Sequence, residues 1–596
     1  MAKCYDNFSR EELIELLNKQ DKELALKKYG LVWDSEKEPE KVVQDCQNNL
    51  PILQRVSEKE IKTDDSDYNI LIEGDNFHAL SVLNYTHKGE LDLIYIDPPY
   101  NTGNKDFIYN DSYVEKEDGY RHSKWLNYIE KRLNLAKNLL KEQGIIFISI
   151  DDNEQSNLKL ICDKIFGENN KIAILPTIMN LKGNQDEFGF AGTHEYTFVY
   201  SKNKQVCKIG EFKIDDDEIN NWEVDDKGYF KKGANLIASG VNAPRHKRPN
   251  LFYPIFIREN EIFLPSNEEI EPLYNKVEKI FDDIALEKLI KKYQDNGFVK
   301  ILPISNNNYM SWRWQLETMR LRKDTDVIIS GTSLYKKQRP ELSDLPTKKP
   351  KTIFYKPEYS SGSGTNRLKQ IFGEKLFNNP KPVELIKDLI YLGGDKNITI
   401  LDFTAGSGTT ADAVIQLNKE DSGKRKFILC TNNENDICTG VCYPRIEKVI
   451  NGYNKNGNGE FIEGLGGNLQ YFKTDFIKNS ENIEQLKMNL TYKCTEMLCL
   501  KENIYNLKEE QEDYKIFESN KKDKYLCVYY NFINDSFEDF LSTLKKLEGQ
   551  KIIYMFSMDD RIDNELFKEI NNYKIETIPQ KILDIYKKII KENVRG

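Results

Sequence analysis

Apolar and polar positions along the chain change their period several times, and each change marks an element. Residues 91–96 place Leu91, Leu93, Ile94 and Ile96 in a run of strand length, rich in types that favour extended backbone. The run stops at Asp97-Pro98-Pro99-Tyr100. Two prolines, each without an N–H and with φ fixed, cannot continue a ladder, so the chain turns out of its sheet there. Residues 68–83 read as strand, turn and helix. Residues 145–152 and 193–200 read as further strands, with one helix ending at Gly144 and another over 153–166. Residues 398–414 repeat strand, turn and helix around a glycine-rich turn, and 424–435 is a strand with a polar end. This alternation predicts a doubly wound α/β sheet.

The two ends and the middle follow other patterns. Residues 1–60 read as helical, with Ser9 and Glu12 spaced as a capping box and Gly30 as a stop. Residues 205–360 lose the alternation and are rich in Asn, Lys, Pro and aromatics, with the blocks RPNLFYPIF (248–256) and SWRWQ (311–315). Residues 466–596 hold two or three strand–helix units, as in DKYLCVYYNF and QKIIYMFSMDD.

A chain of 596 residues predicts several domains, and 29 Phe and 33 Tyr are enough to build their cores. No apolar run reaches transmembrane length and the first residues do not read as a signal peptide, so a soluble cytoplasmic protein is expected. The ten cysteines are scattered without a CxxC pair. Cys438 and Cys442 can share a helix face, but no neighbouring ligand completes a zinc set, so free thiols and no metal are expected. The net charge of −10 argues mildly against a nucleic-acid partner. Locally basic stretches in the middle third argue the other way: Arg245-His246-Lys247-Arg248, Arg320 to Lys323, and Lys336-Lys337-Gln338-Arg339 with Lys348, Lys349 and Lys351.

The turn at the end of 91–96 has its own chemistry. In an open α/β sheet, ligands bind beyond the carboxyl ends of the strands. There Asp97 offers an anionic acceptor, the Pro98 carbonyl a second acceptor of restricted direction, and Tyr100 a flat face. Two acceptors beside a stacking platform match a planar group with an exocyclic NH2, such as an adenine extruded from a duplex. An aromatic amine is a poor nucleophile because its lone pair is delocalised. Acceptors on both N–H bonds favour a pyramidal nitrogen with a localised lone pair, able to attack an electrophilic methyl group. Asp97 would act by orientation and charge. Standing alone, Asp-Pro-Pro is equally an ordinary strand-ending turn.

With Tyr100 the motif resembles the signature of the amino-methylating DNA methyltransferases, D/N/S-P-P-Y/F/W. The second motif, Asp402-Phe403-Thr404-Ala405-Gly406-Ser407-Gly408-Thr409-Thr410, resembles the D-x-F-x-GSGTT S-adenosylmethionine loop of the same family. It has neither the Rossmann glycine spacing nor a Walker lysine. Thr404 departs from the family, which usually has Phe there, so that ring's contact with the cofactor is either absent or supplied by Phe403. The resemblance implies that Asp97, Pro98, Pro99 and Tyr100 are catalytic. It also implies that Asp402, Phe403, Ala405, Gly406, Ser407, Gly408 and Thr409 hold S-adenosylmethionine. Asp75, in GDN-x-x-AL, becomes a cofactor contact, although from local sequence it is equally a helix cap. In LFNNPKPVELI, Phe377, Lys381 and Pro382 match a block that lines the methionine end of the cofactor. Glu434 is the candidate for the ribose hydroxyls, with Asn432 as alternative. His194, in the family's HEY, is read as structural, and Trp312 and Trp314 as core.

The order of the motifs, 97 before 406, implies a circularly permuted Rossmann-like sheet, the β-group arrangement, with a recognition domain inserted between its halves. The expected domains are a helical segment at 1–62, the target-base half at 63–204, and a target-recognition domain at 205–365. The cofactor half follows at 366–465, and a small α/β domain for dimer or partner contact at 466–596. The blocks at 248–256 and 311–315 resemble those of modification subunits of type III restriction–modification systems. That resemblance implies adenine N6 methylation of double-stranded DNA, a homodimer and a separate helicase–nuclease subunit. Rival readings are cytosine amino-methylation, which the family tends to pair with Ser in place of Asp97, an RNA or protein substrate, and an idle recognition subunit that delivers a nuclease.

Overall fold

The computed structural model describes residues 40–594, with Arg10, Ile14 and Leu17 ahead of them, except 184–188, 214–221, 340–346, 458, 481 and 531–535. Ser9, Glu12 and Gly30, the expected start and stop of an N-terminal helix, lie outside the described residues. The chain divides into two units, Met1–Gly210 with Lys351–Gly596, and Glu211–Pro350.

The first unit is built on nine strands: β1 Asn49–Arg55, β2 Tyr68–Glu73, β3 Leu91–Ile96, β4 Leu140–Ile150, β5 Lys171–Ile178, β6 His194–Ser201, β7 Thr399–Asp402, β8 Lys426–Thr431 and β9 Asn468–Lys478. Their order across the sheet is β1-β9-β2-β8-β7-β3-β4-β6-β5. From β9 to β4 all neighbours are parallel. The flanking pairs β1–β9, β4–β6 and β6–β5 are antiparallel. Leu91, Leu93, Ile94 and Ile96 expose no surface. A parallel strand covered by helices on both faces reads as a continuous apolar run, which is why β3 does not alternate.

The helices that matter below are α1 Lys41–Asn48, α2 Asn76–Thr86, α3 Arg121–Leu139, α4 Gln155–Phe166, α5 Ser361–Phe372, α6 Val383–Gly393, α7 Thr409–Asp421 and α8 Tyr443–Asn451. The sheet is the permuted α/β sheet expected, and its two segments interleave. β2, from the first segment, lies between β8 and β9 of the last.

Three boundaries differ from expectation. Among the described residues before 60, Arg10, Ile14 and Leu17 are helical and 41–48 form an α-helix. Residues 49–55 are an edge strand, because Leu50, Ile52 and Leu53 bury against β9, and Pro51 is tolerated at an edge. β9 falls within 466–596 yet completes the central sheet. The helix expected to stop at Gly144 ends at Leu139, and 140–144 already run as strand beside Leu91.

The remaining C-terminal residues form a five-stranded sheet with its own small core around Tyr514, Ile516, Phe540, Ile553 and Phe567. Leu526, Val528, Tyr554 and Ile578 on its other side join the main core. The unit Glu211–Pro350 holds a four-stranded and a three-stranded antiparallel sheet. Trp312 is fully buried at its centre and donates to the Tyr253 carbonyl at 2.8 Å. No helix among the described residues is long and apolar enough to cross a membrane.

Candidate active site

The carboxyl ends of β2, β8, β7 and β3 stand side by side in the parallel run, and a cleft of about 1560 Å³ opens beyond them. Asp75, Asp97 to Tyr100, Glu195, Phe377, Lys381, the 402–407 turn, Thr409, Asn432 and Glu434 all line it. Two turns at adjacent strand ends dominate: 97–100 after β3, and 403–408 after β7.

The first turn is anchored on three sides. The Asp97 N–H donates to Thr404 Oγ1 at 2.9 Å, which ties it to the second turn. Trp125, from α3, donates to the Pro99 carbonyl at 2.7 Å. Asn101, buried and left-handed at φ 58°, donates to Glu154 Oε1 at 2.6 Å. Glu154 is itself held by His122 at 2.6 Å and Asn157 at 2.7 Å. On the cleft side, Tyr100 donates to Glu195 Oε2 at 3.1 Å, and burial raises its phenol well above the usual range.

The second turn is shaped from behind. Asp402 accepts from the Thr404 N–H at 3.0 Å and from Thr410 Oγ1 at 2.6 Å. Burial nevertheless pushes its carboxyl up to about 7. Gly406 adopts φ 49° and faces the cleft, where a side-chain carbon would meet the Phe377 ring at 3.4 Å. Arg445, from α8, donates to the Ser407 carbonyl at 3.2 Å and to Thr409 Oγ1 at 2.9 Å. Asp412 on α7 pairs with Arg445 at 2.9 Å and with Arg367 of α5 at 2.9 Å, and neither Asp412 nor Arg445 exposes its side chain. Burial disfavours the Asp412 charge, but the two guanidinium groups outweigh it and hold its carboxyl below the usual range.

The DNA methylase family model matches residues 91–440, which span both turns. The chain belongs to the DNA methylase family. It is 39% identical over 463 residues to the Mod subunit of the type III restriction–modification enzyme EcoPI of Escherichia phage P1, covering 72% of this chain and 68% of that one. It is 33% identical to the type II methyltransferase M.KpnI of Klebsiella pneumoniae, over 64% of this chain and 84% of that one. Among solved structures, the M1.HpyAVI–SAM complex aligns over 64% of this chain and 97% of its own at 14% identity. The TM-score of that alignment is 0.27.

In this methylase the expected site residues converge with two exceptions: Gly408 and Pro382 are not among the residues that line the cleft. Gly408 is left-handed at φ 76° and backs onto Cys442. Pro382 stands at the cap of α6, one residue before the helix. Phe403 lines the cleft and is also almost wholly buried in the main core. Asp75 does both things open to it: it caps α2 through the Phe77 N–H at 2.7 Å, and it lines the cleft. Lys381 turns toward the first turn, where it meets Glu195 at 2.8 Å and Asp97 at 3.3 Å. Glu434 is exposed at the rim and Asn432 half-buried beside it.

Sequence reasoning missed Glu195, Thr404 as a bridge, and the Arg445–Asp412–Arg367 network. A signal existed for Glu195, an acid inside the apolar strand 194–201. In the same motif His194 stays exposed, stacked edge-on against Tyr196 at 5.1 Å. Cys438 and Cys442 are buried free thiols, and no metal-binding group of His, Cys, Asp and Glu occurs among the described residues.

Proposed function

We propose that this methylase transfers a methyl group from S-adenosylmethionine to the exocyclic N6 amine of an adenine extruded from double-stranded DNA. In the same reading it is the modification subunit of a type III restriction–modification system. The observation that carries the chemistry is the pairing of the two turns. Asp97, Pro98 and Tyr100 sit at the carboxyl end of β3, one hydrogen bond from a glycine turn on β7. Asp97, where cytosine-modifying members of the family tend to carry Ser, favours adenine.

The residues present suit the cofactor. The open backbone at Gly406 faces Phe377, and Asp75, Asn432 and Glu434 supply acceptors and a donor along the same wall. When bound, S-adenosylmethionine supplies an electrophilic methyl group. Asp97 and the Pro98 carbonyl accept the two N–H bonds of the amine, and Tyr100 stacks the base. Trp125 occupies the Pro99 carbonyl, so Pro98 is the residue assigned to the amine. So held, the amine nitrogen would present a localised lone pair toward that methyl group, with Asp97 and the Pro98 carbonyl keeping its two N–H bonds turned away. Positioning and charge carry this step.

The unit Glu211–Pro350 is the proposed target-recognition domain. Within it several basic residues are already committed. Arg245 pairs with Asp283 at 2.7 Å and packs over Phe281 and Tyr309. Lys337 and Arg339 both pair with Asp225. The exposed His246, Lys247 and Arg248 are better placed to meet DNA phosphates. A homodimer, a separate helicase–nuclease subunit and a cytoplasmic setting complete the proposal, and the identity to the EcoPI Mod subunit supports its type III restriction–modification setting.

The test is long-read modification mapping of plasmid DNA from cells that express this chain, beside an Asp97→Ala version. Methyladenine in one short motif, absent from the variant, is expected. No modified adenine with the intact chain would sink the proposal.

A further inference from the structure

Lys381 stands at the centre of a cluster of polar groups in the cleft. Its ammonium lies 2.8 Å from both oxygens of Glu195, 2.5 Å from the Tyr100 hydroxyl and 3.3 Å from Asp97 Oδ1. It also sits 4.9 Å from the centre of the Tyr100 ring. Both Lys381 and Glu195 are largely withdrawn from solvent, at 10% and 12% side-chain exposure. All of these contacts run to the first turn and to β6, and none of them runs to the glycine turn.

The arrangement solves an electrostatic problem. Two carboxylates, Asp97 and Glu195, flank the half-buried Tyr100, and like charges at short range drive protonation. A single cation between them stabilises both ionised forms. Burial works against the Lys381 ammonium, yet Asp97 and Glu195 outweigh it and raise its pKa above the ordinary lysine value. The titratable groups around Asp97 are Lys381, Tyr100 beside it, Tyr95 within β3, Glu195 on β6 and Asp402 on β7.

We propose that Lys381, braced by Glu195, is a positioning residue that holds the Asp97 side chain and the Tyr100 hydroxyl in place before the base arrives. This rests on the reading of Asp97 as the acceptor for the target amine, and assigns two residues that act through it. It differs from the expectation that Lys381 serves the methionine end of the cofactor.

The experiment uses the purified full-length chain, tritiated S-adenosylmethionine and plasmid DNA from a host without adenine methylation. kcat and the KM for S-adenosylmethionine are measured against pH for the wild type, Lys381→Met, Lys381→Arg and Glu195→Gln, with thermal unfolding of each. Lys381→Met is expected to move the acidic limb of kcat upward by about one pH unit or more, because Asp97 loses its cation. Its KM for S-adenosylmethionine stays within about twofold of wild type, as for an interaction that the cofactor does not share. Lys381→Arg keeps the charge and returns the limb to its wild-type place. Glu195→Gln lowers kcat but leaves the limb at or below wild type, because the cation then serves Asp97 alone.

An unmoved limb with a raised KM in Lys381→Met assigns Lys381 to the cofactor and overturns the inference. So does an equal loss at every pH that Lys381→Arg does not repair. If Lys381→Met fails to fold, an upward limb in Glu195→Gln is enough to overturn it. A wild-type chain that transfers no methyl group to DNA removes the proposed function and this inference together. An active wild type with any of the other adverse results removes the inference alone.

Discussion

The two turns at the ends of β3 and β7 share a cleft and one hydrogen bond, but they are held in opposite ways. Behind 403–408, the charges are sealed: Asp412 and Arg445 expose no side-chain surface, and they bond to each other, to Arg367, to Gln416 and to the turn. Around 97–100, the charges face the cleft: Asp97 keeps 28% of its side chain exposed, beside Lys381 and Glu195. A sealed network can fix a backbone shape, because breaking it leaves a buried charge without a partner. A cluster open to a cleft can exchange one partner for a ligand. The glycine turn is therefore built as a shape and the Asp97 turn as a reactive surface.

The strongest way to break this comparison is Asp412→Ala. It strands Arg445 in the interior and is expected to destabilise the chain by about 3–5 kcal/mol, read by urea unfolding. A variant as stable as wild type would show that the network supports nothing. Asp97→Ala should do the converse. Methyl transfer to DNA falls by at least about 100-fold, the scale for losing one placed polar group at a reacting centre, while the unfolding midpoint stays near wild type. A large loss of stability instead would make Asp97 part of the frame.

Thr404→Val sharpens the link between the turns. It removes the acceptor for the Asp97 N–H while keeping the shape, and is expected to cost about 0.5–1.5 kcal/mol of stability. Because the lost bond holds the reactive turn, kcat should fall as well; an unchanged kcat would mean that Trp125 and Asn101 hold the turn without it. The subtlest effect is a pH slope. The Asp402 carboxyl sits at about 7 when folded, against an ordinary 3.8. Its folded state therefore keeps a proton that the unfolded chain gives up. Stability from this group is full below the ordinary value and is lost as pH rises toward about 7. Asp402→Asn should flatten that decline and be the more stable protein above neutral pH. Parallel unfolding curves for the two proteins across that window would show that Asp402 is not the source.

The sheet was legible because burial on both faces writes itself as unbroken apolar runs, as in β3. Asp97 to Tyr100 and the glycine turn were legible because prolines and glycines impose local backbone whatever surrounds them. Where local and distant forces compete, the pattern misled. LPIL at 50–53 lies in a region read as helix, but pairing with β9, more than 400 residues later, makes it an edge strand. Gly144 reads as a helix stop, yet register with Leu91 ends α3 five residues earlier.

By itself the sequence determined that a permuted α/β sheet carries two ligand-facing turns, and which residues form them. Local steric rules and the period of apolar positions are short-range, so they survive in one dimension. Only the tertiary structure decided what each turn is tied to: Glu195 and Lys381 beside Tyr100, Thr404 bridging to Asp97, and Arg445 and Arg367 converging on Asp412. Those partners lie 33 to 307 positions apart, and charge pairs at that range leave no periodic trace in sequence. Their strength depends on exclusion from water, which exists only once the strands are side by side.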